Sequence, residues 1–126
     1  MKMDYNKTYN KILTDEEFME IKQHGSSAYP FQYYYDNLEL FDFHCIEWHW
    51  HREFEFLYVE SGQVTCGIGE KQIILSEGEA IFINSKILHQ FYASSDGVIP
   101  NFVCMPEFIA PENSLIYKKY ILPIIS

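Results

Sequence analysis

Between Phe31 and Met105, short apolar and aromatic runs alternate with turn residues at close intervals. "FQYYYD", "LFDFHCIEW", "QVTCGIG", "QIIL", "AIFIN", "LHQFYAS" and "VIPNFVCM" are rich in β-branched and aromatic side chains; "NLE", "EK", "SEGE" and "SDG" punctuate them. At least seven short strands joined by tight turns predict an antiparallel sandwich or barrel. No strand–helix–strand alternation is visible, which disfavours a nucleotide-binding parallel sheet.

The flanks read differently. In the polar, Tyr-dotted arm of residues 1–30, Thr14 and Glu17 have capping-box spacing, and Leu13 and Phe18 stand where a hydrophobic staple would. Lys22 and His24 then suit a helix C-terminus that Gly25 closes, so a short helix is expected. After a barrel over 31–106, the segment 107–126 predicts a helix from Asn113 or Ser114 that Pro123 stops. Its apolar end, "ILPIIS", invites association, and is read as a cut from a longer chain or a docking end.

Composition narrows the function. At 126 residues, 48% hydrophobic and 17% aromatic, the chain holds one proper core with rings to spare for a pocket. Eighteen acidic against nine basic residues give a charge of −9, so no Lys/Arg stripe is available to grip DNA directly. No apolar run reaches the roughly 18 residues of a membrane span, and no signal peptide is visible. Cys45, Cys66 and Cys104 are odd in number and dispersed, as expected of reduced, buried thiols in a cytoplasmic protein.

The chemistry concentrates in "HWHREFEFLYVESG". His49 and His51 are two apart on an extended strand and face one side together; Glu55 follows, and His89 returns after Gly78 and a turn. Two imidazoles, a carboxylate and a third imidazole form a ligand set for a divalent ion such as Zn, Fe, Mn or Ni. The alternative is a metal-free polar lining of the same cavity. Metal binding requires neutral ligating nitrogens and is expected to weaken below about pH 6. Trp48, Trp50, Phe54, Phe56 and Tyr58 have the opposite parity and are expected mostly in packing. Arg52 reads as a surface ion pair, or as a clamp for an anionic effector. Tyr9, Tyr29, Tyr33, Tyr34 and Tyr35 read as edge packing first, and as a lid second.

The order and spacing of His49, His51, Glu55 and Gly62, then Gly78 and His89, resembles the two motifs of the cupins. Phe43 stands where the first motif expects Gly, and Asn84, Lys86 and Ala93 stand where the second expects Pro, Gly and Asn. The longer string from "FHCIEWHWH" to "LHQFYA", with "YKKYILPII" beyond it, is similar to the N-terminal sensor domains of AraC-family transcription regulators. That resemblance implies an all-β double-stranded β-helix, or jelly-roll barrel, with an N-terminal arm and a C-terminal helical tail. It also implies a small-molecule effector, by analogy a carbohydrate, a homodimer, and DNA contact only through a helix-turn-helix domain missing here. His49, His51, Glu55 and His89, with Trp50 and Arg52, are then the candidate effector-binding residues, and no catalysis is expected. The competing reading is a free-standing metal-dependent cupin enzyme, a dioxygenase or isomerase.

Overall fold

A computed structural model describes residues 11–126. Two antiparallel sheets face each other. One carries β1 (Phe31–Asn37), β9 (Gly97–Cys104), β3 (Phe54–Tyr58) and β7 (Ala80–Ile83) in that spatial order, with β4 (Ser61–Gly62) also paired to β9. The other runs β2 (Cys45–His49), β8 (His89–Tyr92), β5 (Val64–Ile68) and β6 (Lys71–Leu75). The expected jelly roll is present. Leu38, Leu57, Val59, Val64, Phe91 and Ile99, each 2% exposed or less, form the centre of its core.

The long β9 shows how the sequence produces this arrangement. Ile99, Asn101 and Val103 point inward while Val98, Pro100 and Phe102 point out, the period-two pattern of a half-buried strand. β9 pairs with β1 along its whole length, with β3 at 101–104 and with β4 at 97–98. Pro100 falls between those last two partners, where its missing N–H leaves no ladder bond unmade on that side.

The N-terminal helix does not form. The Thr14–Glu17 capping box is replaced by Asp15, whose Oδ1 accepts from the N–H groups of Glu17 (2.8 Å) and Met19 (3.0 Å). This side-chain turn competes with helix and wins. Phe18 takes a left-handed φ of 67° and, like Leu13, is exposed, so there is no staple. The arm instead folds back through a Thr14–Glu20 bridge and a parallel Met19–Trp50 bridge onto the barrel. Gly25 ends no helix; at φ 71° a Cβ there would lie 2.6 Å from the Tyr29 carbonyl oxygen. Tyr9 lies outside the described residues.

At the other end, an unanticipated single turn, α1 (Pro106–Ile109), precedes the tail. The tail begins as expected: the Ser114 hydroxyl accepts from Tyr117 N–H at 3.1 Å. Pro123 does not stop it. A π-turn over Tyr117–Ile121 widens the coil before α2 (Leu122–Ile125), so proline enters at the start of a new turn. Tyr117 and Ile121 pack with Phe54, Cys104 and Ala110 on the outside of the barrel. Leu122 and Ile124 stay exposed, although Asn84 Nδ2 donates to the Ile124 carbonyl at 2.7 Å.

Candidate metal centre and its cavity

His49, His51, Glu55 and His89 converge. Their candidate ligand atoms lie within 4.8 Å of one another, and all four side chains are buried. β2 pairs with β8 so that His49 sits directly opposite His89. A register shift between Ile46 and His49 turns both of these inward although they are three residues apart, the usual effect of a bulge beside a site. His51 follows in the loop before β3, which delivers Glu55. That loop is braced from the next one, since Lys86 N–H donates to the His51 carbonyl at 2.8 Å.

Each ring is oriented by its other nitrogen. His49 Nδ1 lies 2.8 Å from the Glu47 carbonyl oxygen, His51 Nδ1 3.1 Å from that of Glu53, and His89 Nδ1 2.7 Å from that of Ile87. A carbonyl can only accept, so Nδ1 carries a proton in each ring and Nε2 is the nitrogen turned inward. Glu55 Oε1 is 3.1 Å from His51 Nε2 and 3.4 Å from His89 Nε2. Three Nε2 atoms and one carboxylate thus face one point, and buried His89 Nε2 has no hydrogen-bond partner among the described residues. Such a set is satisfied by a cation, and backbone-fixed imidazoles with one carboxylate fit a divalent metal.

The electrostatics agree. Burial, and then the neighbouring His89, push His49 down to about 4, so that ring resists protonation. Burial disfavours a charged His51, but its hydrogen bond to Glu55 and the carboxylates of Glu55, Glu20 and Glu53 together outweigh this and raise its pKa above the ordinary value. Burial would raise the Glu55 carboxyl, yet the hydrogen bond from His51 and the close approach of His89 hold it well below the carboxylate range. Thiolate chemistry is disfavoured: burial pushes Cys66 up to about 12 and raises Cys104 and the half-buried Cys45.

His49, His51 and Glu55 open onto a cavity of about 330 Å³ roofed by the arm. Arg52 is exposed and lines no part of it. Trp50 also lies outside the cavity. It fastens the roof instead: its N–H donates to Phe18 O (3.0 Å), its ring Nε1–H to Glu17 O (2.9 Å), and its carbonyl accepts from Glu20 N–H (2.9 Å).

Residues not anticipated from the sequence complete the wall. His24, read there as the end of a helix, is buried; its Nε2 is 2.6 Å from Glu20 Oε1 and its Nδ1 2.5 Å from the Tyr34 hydroxyl. Its ring meets that of His51 edge-on, with centroids 5.5 Å apart. Burial raises Glu20, but the His24 hydrogen bond and the nearby imidazoles of His24, His49 and His51 together outweigh it and hold the carboxyl below its ordinary value. Burial also pushes Asp36 up to about 6, against the hydrogen bond from Asn101. The four-residue spacing of Glu20 and His24 was the one sequence hint of this pair; the arm's path across the barrel was not legible.

Residues 45–103 match the family described as cupin domain. The chain is 27% identical over 115 residues to an uncharacterized HTH-type transcriptional regulator, YdeC, of Bacillus subtilis (strain 168); the match covers 89% of this chain but only 38% of that regulator. Among solved structures, a conserved protein of unknown function from Streptococcus pyogenes superposes with a TM-score of 0.56 at 20% identity, over 62% of this chain and 67% of that one. An RmlC-like cupin from Shewanella frigidimarina gives 0.54 at 17% identity, over 60% and 67% of the two chains. These likenesses establish the fold: the barrel has the cupin fold.

Proposed function

We propose that this cupin domain is the effector-sensing and dimerising part of an AraC-type transcription regulator, with no catalysis of its own. The reading is supported by the regulator relative and by the acidic charge, which leaves DNA contact to another part of the protein. One observation carries it. The buried His/Glu set opens into a cavity whose roof is hydrogen-bonded to Trp50, the residue between two of the set's imidazoles. A molecule in the cavity therefore touches both the polar floor and the arm that covers it. Its differential affinity for two placements of the arm shifts their populations, which is what a sensor requires.

A divalent ion held by His49, His51, Glu55 and His89 would supply a Lewis-acidic point on the cavity floor. Metal analysis of protein purified without chelator should find one equivalent of Zn, Fe, Mn or Ni. His49→Ala and His89→Ala should lose the ion while keeping the barrel's circular dichroism. A metal-free parent would remove this part of the reading.

For the sensor as a whole, operator binding by the full-length protein should change when the effector is added, and sedimentation should show a dimer. A metal-dependent cupin enzyme is the second reading, favoured by the open space beside the ligand set. Turnover by the isolated domain, with no effect of the same compound on operator binding, would select it.

A further inference from the structure

The wall of the cavity facing the ligand set is one-sided in its hydrogen bonding. Asn101 directs both amide hydrogens into the protein, to Asp36 Oδ2 at 2.9 Å and to the Ile99 carbonyl at 2.8 Å, which leaves only its oxygen for a guest. The buried His24 ring holds Glu20 Oε1 through Nε2 and fixes the Tyr34 oxygen through Nδ1. Glu20, Asp36 and Glu55 line the cavity with carboxylate oxygens. Among the described lining residues, the interior groups of fixed charge are all carboxylates. The two cations, Lys11 and Lys22, are exposed at the rim, with Lys22 Nζ 4.8 Å over the Tyr34 ring.

Three ligand classes meet this wall differently. Carboxylates and phosphates would meet the like charge of Glu20, Asp36 and Glu55. A sugar hydroxyl is neutral and leaves that charge unanswered. A protonated amine or guanidinium only donates. We propose that the cavity selects a small organic cation, an amine or a guanidine, with Asp36 as its counter-charge and the Tyr34 oxygen orienting it. This rests on the sensor reading and replaces the carbohydrate that the resemblance implied. Burial pushes Asp36 up to about 6, and Glu55 adds to the rise, so the wall has negative charge that a guest cation would relieve. An ion at the ligand set answers Glu55 and leaves Asp36 to the guest. The cavity volume is at the small end for ligand pockets, matching a molecule of modest size.

The test uses putrescine, agmatine, butanediol, succinate and arabinose, added to chelator-treated and to zinc-loaded protein, with melting temperature and calorimetric titration as readouts. Putrescine or agmatine should raise the melting temperature saturably, by several degrees, where butanediol and succinate do not. Asp36→Asn should weaken the amine by about tenfold or more, as expected on losing a charge-assisted bond. Tyr34→Phe should weaken it less. A shift with succinate or arabinose in place of the amines overturns the assignment and leaves the sensor reading standing. An amine shift unchanged in Asp36→Asn is attraction to the acidic surface, and also overturns it. If none of the five compounds acts, the amine assignment fails, while the sensor reading is judged separately by whether operator binding responds to an effector.

Discussion

Asp36 is a carboxyl group whose surroundings favour its neutral form, and stability must therefore depend on its charge. Its folded pKa of about 6 lies above the ordinary 3.8, so the native state binds the proton more tightly than the unfolded chain does. The stabilisation is complete below about pH 4 and is lost as pH rises through 6. Asp36→Asn keeps an oxygen for Asn101 and removes the charge. The variant should match the parent near pH 4 and exceed it at pH 7.5 by about 1–3 kcal/mol, read from urea midpoints in chelator. Phe43 and Lys86 pose a second residue-scale question. Both stand where the cupin motifs expect glycine, and both adopt left-handed backbone, φ 60° and 64°. The turns survive without the residue that makes them easy. Phe43 is 91% exposed and Lys86 is exposed, so little packing opposes a change. Phe43→Gly and Lys86→Gly should each stabilise by about 0.5–1 kcal/mol in urea unfolding, the relieved strain exceeding glycine's extra unfolded-state entropy.

Among the elements, β4 depends most on a single position. Gly62, φ 84°, closes the first motif, and a Cβ there would meet the Asp96 carbonyl oxygen at 2.2 Å. Gly62→Ala should cost about 2–4 kcal/mol, with loss of amide protection concentrated in β4 and the adjoining end of β9. Strands were legible because alternation and turn residues are local signals: "QIIL" became β6 and "AIFIN" became β7 with small shifts at the ends. The arm was not, because Thr14 and Glu17 satisfy a helical rule that Asp15 defeats at shorter range, and because the partner that decides the outcome, Trp50, is more than thirty residues away. The tail lay between these cases. Ser114 marked its start, but no periodicity shows that a π-turn will carry the chain past Pro123.

For the whole molecule, the His/Glu set could be read ahead of the structure because its spacing is dictated by strand geometry, whereas Tyr34, Asp36 and Asn101 join the cavity only through the β1–β9 pairing. The outer face of that sheet carries stacked rings, Phe31 on Phe102 and Phe102 on Phe56, so the parity argument placed Phe56 correctly, away from the site. Trp50 binds the roof with three hydrogen bonds and is chained on either side to a candidate ligand. Roof and floor are thereby energetically linked, and linkage runs both ways by the same factor. Loading the floor with Zn²⁺ should slow proteolytic trimming ahead of Gly25. Excising residues 1–24 should weaken Zn²⁺ by the factor that the ion contributes to closure, measurable by competition with a chromophoric chelator. If the two factors differ, the covering and the imidazoles act independently. If they agree, one tryptophan serves as the hinge pin through which a buried event is felt at the chain's leading end.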